Sequence, residues 1–201
     1  MQTAKGAATR RRIIEAASDV VRERGAESTS LDDVCLRSGT GKGQLFHYFP
    51  DGREELMLAV AELEAERVFE DQDPYLFELD SRATWEAWLD ATVRQYREQG
   101  LLCPLAILIS EVGRYNPEAQ AVSARLVERW QEALRVAIER TQVTGDADPA
   151  VDAHALAAAV ITAVQGGVAV LLSTGSTAHM EAALAVCLDR LLPARTALAA
   201  A

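Results

Sequence analysis

Apolar residues recur every three or four positions along most of the chain, the spacing that places them on one face of an α-helix. The first such stretch carries Ile13, Ala17, Val20 and Val21, with charged side chains on its other faces. No stretch alternates apolar and polar residues as a half-buried strand does. Only 6 Pro and 12 Gly interrupt the 201 residues. The pattern therefore predicts an all-α fold.

Three short helices are predicted before residue 52. The first follows Thr9, a candidate N-cap, and ends at Gly25. The second opens on Ser30-Leu31-Asp32-Asp33, which has the spacing of a capping box, and ends at Ser38-Gly39. The third begins at Thr40 or Gly41 and ends at Phe49-Pro50. Their inward positions form a small core: Ile13, Ala17, Val20, Leu31, Val34, Leu45 and Phe49.

Longer helices are predicted in the rest of the chain. Pro74 indicates a connection over residues 71–80, and an apolar segment over residues 104–114 is expected to be buried. Asn116-Pro117 has the chemistry of a helix start. The predicted helices cover residues 53–70, 81–99, 117–144, 153–173 and 178–192.

Charge divides the chain into two parts. Residues 1–55 hold nine basic and nine acidic residues, which leaves 11 of the 20 basic and 21 of the 30 acidic residues for positions 56–201. The formal net charge of −10 therefore belongs to the later part. This asymmetry predicts a module over residues 1–52 and a larger helical domain over residues 53–201, with different roles.

Composition and motifs exclude several classes of protein. With 49% apolar and 25% charged residues, the chain is typical of a globular protein and not of a disordered one. Its three cysteines are widely spaced, so we expect no disulfide framework, metal site or cofactor. No His-Glu-x-x-His or Gly-x-Ser-x-Gly motif occurs, and the sequence predicts no enzyme. Cys103 is interpreted as a buried, inert thiol, with a redox sensor as the alternative.

Residues 153–180 contain no charged side chain. A span of that length could cross a bilayer. It is rich in Ala, contains Thr162, Gln165 and the Gly166-Gly167 pair, and lacks flanking cationic and aromatic anchors. A helix buried in protein is also apolar on every side, so we interpret this segment as a core or interface helix of a cytoplasmic protein. The basic N-terminus leads into a charged amphipathic pattern, and no secretory signal is predicted.

The first three predicted helices have the layout of a helix-turn-helix, with its tight turn at Gly39. In this motif the second helix lies in the major groove of DNA. Thr40–Phe49 is the candidate recognition helix, where Lys42 supplies a charge and Gln44 an amide able to pair with adenine. A phosphate-binding loop over residues 39–43 is the alternative, but the glycines that such loops require are incomplete here.

Several motifs of this module agree in register with one known family. They are Thr9-Arg10-Arg11-Arg12-Ile13-Ile14-Glu15-Ala16-Ala17, Arg24-Gly25, Thr29-Ser30-Leu31-Asp32-Asp33-Val34, Ser38-Gly39 and Lys42-Gly43-Gln44-Leu45-Phe46-His47-Tyr48-Phe49. With them the chain resembles the TetR-type transcriptional regulators. Cys103-Pro104-Leu105-Ala106 before Glu111, together with Phe49-Pro50-Asp51-Gly52, resembles the branch that includes the lincomycin-resistance repressor LmrA.

The resemblance implies a homodimeric repressor that binds a partly palindromic, double-stranded DNA operator and is released by a small effector. Two departures matter: Gly41 stands where the family often has Ser, and Arg53 follows a lengthened turn where the family has a phosphate-binding Lys. Carried over by position, Thr29 and Ser30 lie at the DNA backbone, Thr40, Gly41, Lys42, Gly43 and Gln44 near the bases, and His47, Tyr48 and Arg53 at phosphates.

The larger domain is expected to bind a small, apolar effector and to form the dimer. Helix-spaced aromatic and apolar residues are the candidate effector contacts, with plain core as the alternative: Trp85, Trp88, Leu89, Tyr96, Leu105 and Trp130. Apolar stripes of two helices are the candidate dimer interface, with a monomer core as the alternative: Trp130, Leu134, Ala159, Val160, Ala163, Val164, Gly167 and Leu171.

A rival function comes from another class. The chain could be a helical small-molecule-binding protein or enzyme whose first 50 residues only dock a protein partner. Salt-dependent binding to genomic DNA fragments distinguishes the two, because affinity that comes from phosphate contacts falls steeply with salt.

Overall fold

A computed structural model describes residues 4–99 and 117–193, with only the backbone for residues 71–74 and 99. These residues form α-helices and no strands, which confirms the predicted all-α fold. The helices are α1 (Ala4–Arg24), α2 (Leu31–Ser38), α3 (Lys42–Tyr48), α4 (Arg53–Leu76), α5 (Arg82–Gln99), α6 (Pro117–Thr144), α7 (Ala153–Thr174) and α8 (Ala178–Leu191).

The described residues divide into two compact units. Residues 4–68 and 117–126 form the first, and residues 69–99 and 127–193 form the second. Helices α4 and α6 each contribute residues to both units. The predicted boundary between residues 52 and 53 separates two roles, whereas the compact units divide within α4, after residue 68. The predicted boundary stays a prediction.

The core of the helix-turn-helix module is small and fully enclosed. Ile13, Val34, Leu45 and Phe49 are at most 1% exposed, as their helical spacing predicts. Thr9 was predicted to be an N-cap, and this is wrong. The helix begins five residues earlier, at Ala4, and the buried Thr9 hydroxyl donates to the Lys5 carbonyl at 3.1 Å.

Local signals set the turn that places α3. The predicted capping box at α2 is confirmed, because the Ser30 hydroxyl accepts from the Asp33 N–H and the Asp33 carboxylate accepts from the Ser30 N–H. Gly39 ends α2 with φ +65°, a left-handed conformation that favours glycine. The rigid cap at each end of α2 therefore fixes where α3 begins.

Helix α4 continues to Leu76, so the predicted connection over residues 71–80 is wrong in its first half. Phe69 and Leu76, two turns apart on one face, are both buried. The Arg140 guanidinium donates to the carbonyls of Leu76 at 3.0 Å and Leu79 at 2.8 Å. Burial and this cap hold the last turn of α4 although Pro74 lies within it.

A buried polar network joins α1 to α4 in the first unit. The Glu64 carboxylate, 4% exposed as a residue, accepts from the Ser18 hydroxyl at 2.5 Å and from the Arg22 guanidinium at 2.6 Å. Arg67 donates to the same carboxylate at 2.9 Å and to Ser18 at 3.0 Å. Because a buried carboxylate is stable only when paired, this network fixes α1 in register on α4.

Candidate DNA-binding surface and ligand pocket

Helix α3 presents its first turn outward and anchors itself through the opposite face. Gly41, Lys42, Gly43 and Gln44 are exposed, whereas Leu45 is 1% exposed. A Cβ built on Gly41 or Gly43 would meet no atom within 4 Å. Another molecule can therefore approach the backbone of this turn closely, as the sequence predicted.

The cation of this turn is paired within the chain. Lys42 Nζ lies 2.8 Å from Asp32 Oδ1 of α2, and both side chains are about two-thirds exposed, at 65% and 69%. The Asp32 carboxylate raises the pKa of Lys42 above its usual value. Lys42 is charged at neutral pH and is held at the junction of the first turns of α2 and α3.

The rings of His47 and Tyr48 pack against each other at the C-terminal end of α3. His47 is exposed and Tyr48 is half-buried, and their centroids lie 4.9 Å apart with the planes at 73°. Edge-to-face packing restricts both rings. The structure therefore places the two predicted phosphate contacts side by side at the C-terminal end of α3.

Other predicted DNA contacts have internal partners. Thr29 is 3% exposed and its hydroxyl donates to the Gly25 carbonyl at 2.8 Å. Thr40 is 7% exposed, with its hydroxyl 2.7 Å from that of Ser38. Ser30 is exposed and caps α2. A base contact by Thr40 and a backbone contact by Thr29 remain predictions that burial disfavours, while Ser30 stays accessible.

Arg53 supports the turn between α1 and α2. Its guanidinium donates to the carbonyl of Ala26 at 2.5 Å and to that of Thr29 at 3.4 Å. A phosphate contact by Arg53 stays a prediction, and making it would compete with these two hydrogen bonds.

Most other cations of the module form ion pairs as well. Arg24 lies 3.0 Å from Asp33, and Arg37 lies 2.7 Å from Glu23. The Arg37 guanidinium lowers the pKa of Glu23. The surface of this module is therefore a set of neutralised pairs rather than a uniformly basic patch.

The second unit contains an apolar pocket with a volume of about 290 Å³, its open mouth included. Among the residues that the structure describes, no charged side chain lines it. The lining residues come from four helices: Trp85, Trp88, Leu89, Ile138, Leu156, Val160, Leu184, Cys187, Leu188 and Leu191.

The tryptophans give the pocket a rigid wall. Trp85 and Trp88 pack edge to face with centroids 5.8 Å apart. The Trp85 indole N–H donates to the Thr141 hydroxyl at 2.8 Å, which satisfies its polar atom. Burial raises the pKa of the Cys187 thiol, so this thiol is protonated at neutral pH. The lining as a whole suits a neutral ligand.

Sequence reasoning found part of this pocket. Trp85, Trp88 and Leu89 line it, whereas Tyr96 and Trp130 are buried but are not among its lining residues; effector contact by any of them stays a prediction. Leu105 and Cys103 lie outside the described residues. The contributions of α6, α7 and α8 were missed, because their apolar positions carry no mark that separates a pocket wall from closed core.

The predicted dimer interface stays a prediction, and burial within one subunit disfavours most of its residues. Six of the eight are buried: Trp130, Leu134, Val160, Val164, Gly167 and Leu171. A Cβ at Gly167 would lie 2.5 Å from Met180 Cβ, so its small size serves the packing of α7 on α8 of the same chain. Only Ala159 is exposed, and Ala163 is half-buried.

The outward side of α7 is apolar as well. Over the described residues, α7 is the one helix long and apolar enough to cross a membrane, with a mean hydropathy of 2.1 and 44% of that window buried. A core helix of a soluble protein meets the same criteria. Between residues 155 and 169 its exposed positions are small: Ala155, Ala159, Thr162, Gly166 and Ala169.

Two family models match this chain and together span both units. One, described as bacterial regulatory proteins of the tetR family, matches residues 13–60. The other, described as the tetracyclin repressor-like C-terminal domain, matches residues 81–187, more than half of the chain. The chain belongs to the TetR family of transcriptional regulators. The resemblance inferred from the N-terminal motifs is thereby confirmed.

Relatives and solved structures agree with this assignment. An uncharacterised helix-turn-helix regulator of Mycobacterium tuberculosis is 27% identical over 170 residues, which cover 79% of this chain and 81% of the relative. A TetR-family regulator from Cytophaga hutchinsonii has the same fold, with a TM-score of 0.81 at 19% identity over 97% of this chain and 100% of that one. A TetR regulator from Chloroflexus aurantiacus has a TM-score of 0.78 at 25% identity, covering 96% and 100%. The LmrA-like branch stays a prediction.

Proposed function

We propose that this TetR-family regulator is a cytoplasmic repressor that binds a partly palindromic operator as a homodimer and is released by a small, neutral, apolar effector. It carries out no catalysis of its own. The exposed first turn of α3, mounted on a buried Leu45 and Phe49, supports the DNA-binding part of this proposal.

The exposed residues of α3 divide into two roles. Gln44 and Lys42 reach base edges in the major groove, where an amide pairs with adenine and an ammonium with guanine. His47 and Tyr48, with Ser30 at the N-terminus of α2, contact phosphates and set the register of α3 on the duplex. Most of the affinity then comes from phosphates and most of the selectivity from the first turn.

Fluorescence anisotropy with genomic fragments tests this part directly. Fragments retained by the protein are sequenced, and one retained duplex is compared with a scrambled duplex of equal length at several salt concentrations. We expect selective binding whose affinity falls steeply with salt. Salt-independent or absent binding favours the rival function, a module that docks a protein.

The charge-free pocket supports the effector part of the proposal. A neutral aromatic molecule gains from apolar burial against Trp85 and Trp88, whereas a charged one would lose its hydration without a partner. Naphthalene and the anion 2-naphthoate are a matched pair of probes. We expect naphthalene to bind and to weaken operator binding, and 2-naphthoate to do neither.

A matched pair of variants locates the probe. Leu89→Trp fills the pocket, and Val143→Trp adds the same side chain at a position that is 88% exposed. We expect the first variant to lose naphthalene binding and the second to keep it, as followed by calorimetry. Equal binding by both variants would place the ligand elsewhere.

The outward faces of α7 and α8 support the dimer part. The small row on α7 and Val186 of α8, 69% exposed, offer an apolar surface to a second copy. Thr162→Glu places a charge on that row, and Val143→Glu places one on an exposed position of α6. We expect the first variant to sediment as a monomer and the second as a dimer.

Helix α4 carries the proposed switch, since it contributes to both units. An effector that prefers the state with wrongly spaced recognition helices shifts the population away from a pair about 34–36 Å apart. A change from 1:99 to 99:1 takes about 5.5 kcal/mol of differential affinity. Burial of an apolar molecule in the pocket supplies free energy of this order.

A further inference from the structure

The ion pair between Asp32 and Lys42 places a carboxylate beside the proposed reading turn of α3. The two atoms lie 2.8 Å apart, one on the first turn of α2 and one on the first turn of α3. Both side chains are about two-thirds exposed, at 69% and 65%. Any DNA phosphate that approaches Lys42 therefore also approaches the negative charge of Asp32.

Asp32 lies in the first turn of α2, where a carboxylate is favourable, but it takes no part in the hydrogen-bonded cap of that helix. The capping box of α2 uses Ser30 and Asp33, so the end of the helix keeps its side-chain hydrogen bonds without Asp32. The core of the module is apolar and does not include Asp32. Within the described part of the chain, its carboxylate pairs with Lys42.

We propose that Asp32 is a specificity-determining residue that holds Lys42 at the base edges and penalises its capture by phosphates. This inference rests on the proposed placement of α3 in the major groove. Lysine is a flexible point charge that binds any phosphate within reach, irrespective of sequence. With Asp32 as a competing anion, that sequence-independent contact becomes weaker, while a base contact made from the paired position is retained.

The electrostatics of the whole chain favour such a device. The helix-turn-helix residues 1–55 are neutral in sum, and five of their nine cations form ion pairs. Sequence-independent affinity for DNA grows with the number of cations that displace counterions. Each cation that is paired with an acid of the chain lowers this sequence-independent affinity. Among the paired cations, Lys42 lies on the first turn of α3.

Asp32→Asn tests the proposal, because it keeps the shape of the side chain and removes the charge. We expect tighter binding to a scrambled duplex and little change on a duplex retained by the wild-type protein. The ratio of the two affinities should fall about 1.4- to 5-fold, the range in equilibrium constant that exposed ion pairs span. The salt dependence on the scrambled duplex should steepen by about 0.9 in log–log slope, for one added phosphate contact.

Two further variants separate this role from a general effect of charge. Glu27→Gln removes one negative charge from the exposed turn between α1 and α2, and we expect it to leave the affinity ratio unchanged. Lys42→Ala removes the residue through which Asp32 is proposed to act. Asp32→Asn should then have no effect on the ratio in the Lys42→Ala background.

The outcomes are distinguishable. Equal gains on both duplexes for Asp32→Asn, matched by Glu27→Gln, would reduce the effect to net charge and overturn the inference. A changed base preference would assign Asp32 to direct readout and overturn it too. A wild-type protein that prefers no duplex would instead refute the proposed function, and circular dichroism of each variant verifies that the helices are intact.

Discussion

The first turn of α3 and the middle of α7 use glycine in opposite ways. In α3 a Cβ on Gly41 or Gly43 would meet nothing, so the missing side chains leave room for something outside the chain. In α7 a Cβ on Gly167 would lie 2.5 Å from Met180 Cβ and 2.9 Å from its Cα, so the missing side chain is filled by α8. A small residue in a helix therefore indicates that something packs closely against it. It does not indicate whether that is another helix of the same chain or another molecule.

Helix α7 contains both uses in adjacent residues. Gly166 is exposed and a Cβ there would meet no atom within 4 Å, whereas Gly167 is packed against Met180. A rotation of 100° about one helix axis separates the position that serves the subunit from the position that is open to a partner.

The same substitution at these two glycines should have opposite effects on stability. Gly167→Ala forces α7 and α8 apart, and we expect the free energy of unfolding to fall by about 1–3 kcal/mol. In the monomeric Thr162→Glu background, Gly166→Ala removes backbone freedom in a helix without a collision, and we expect a gain of up to about 1 kcal/mol. Urea unfolding at one fixed protein concentration measures both. Equal stabilities would mean that the close approach of α7 and α8 is wrong.

The helices of this protein are predictable from sequence because their signals are local. The capping box at Ser30 and the left-handed Gly39 each depend on a few neighbouring residues, and both are confirmed. Pro74 is a local signal that failed, since Arg140, more than sixty residues away, caps the carbonyls at the end of α4. A local signal such as Pro74 is overruled where residues distant in sequence, here Arg140, stabilise the helix.

The faces of α7 were not predictable for a different reason. A helix without a charged residue and apolar on all sides has no pattern that tells the inward face from the outward one. Val160 shows the result: predicted at a dimer interface, it lines the pocket. The charged α1, by contrast, buries the positions that its pattern predicts.

Gln44→Ala tests whether the open face of α3 reads bases. The truncated side chain loses two hydrogen bonds to one base, and we expect a cost of about 1–3 kcal/mol on the retained duplex. Binding to the scrambled duplex should change little, so base preference relaxes at one position. Competition anisotropy with duplexes substituted at each position measures this. Equal losses on both duplexes would contradict a reading role for Gln44.

Tyr48→Phe should have a smaller and less selective effect. The variant keeps the ring that packs on His47 and removes only the hydroxyl, so the surface of α3 is preserved. We expect a loss of about 1 kcal/mol, the value of one hydrogen bond, shared equally by retained and scrambled duplexes. A shift in the preferred sequence would move Tyr48 from the phosphates to the bases.

The partners of α3 show what the sequence leaves open at the site. Exposure of Lys42 and Gln44 follows from the burial of Leu45 and Phe49 and was predictable. The pairing of Lys42 with Asp32 depends on how α2 and α3 pack, and the burial of Thr40 depends on the turn between them. Residue type and spacing identify candidates for contact, and the packing of neighbouring helices decides which of them are free to make it.

Gly41→Ser should produce the smallest change and tests whether the open space at α3 can be filled without cost. Gly41 is the N-cap of α3, with φ −83° and ψ 158°, and it offers no side-chain hydrogen bond to the free N–H groups of the first turn. A Ser hydroxyl can accept from one of them, and we expect a gain of a few tenths of a kcal/mol in unfolding free energy. Gly41→Ala is the matched control, since it fills the same space without an acceptor and should be destabilising. Thermal unfolding of the two variants separates the effect of a capping hydrogen bond from the effect of filling the space with a Cβ. If Gly41→Ser and Gly41→Ala have the same unfolding free energy and both bind the operator more weakly, then capping is not the deciding effect. DNA binding then requires the open space at Gly41.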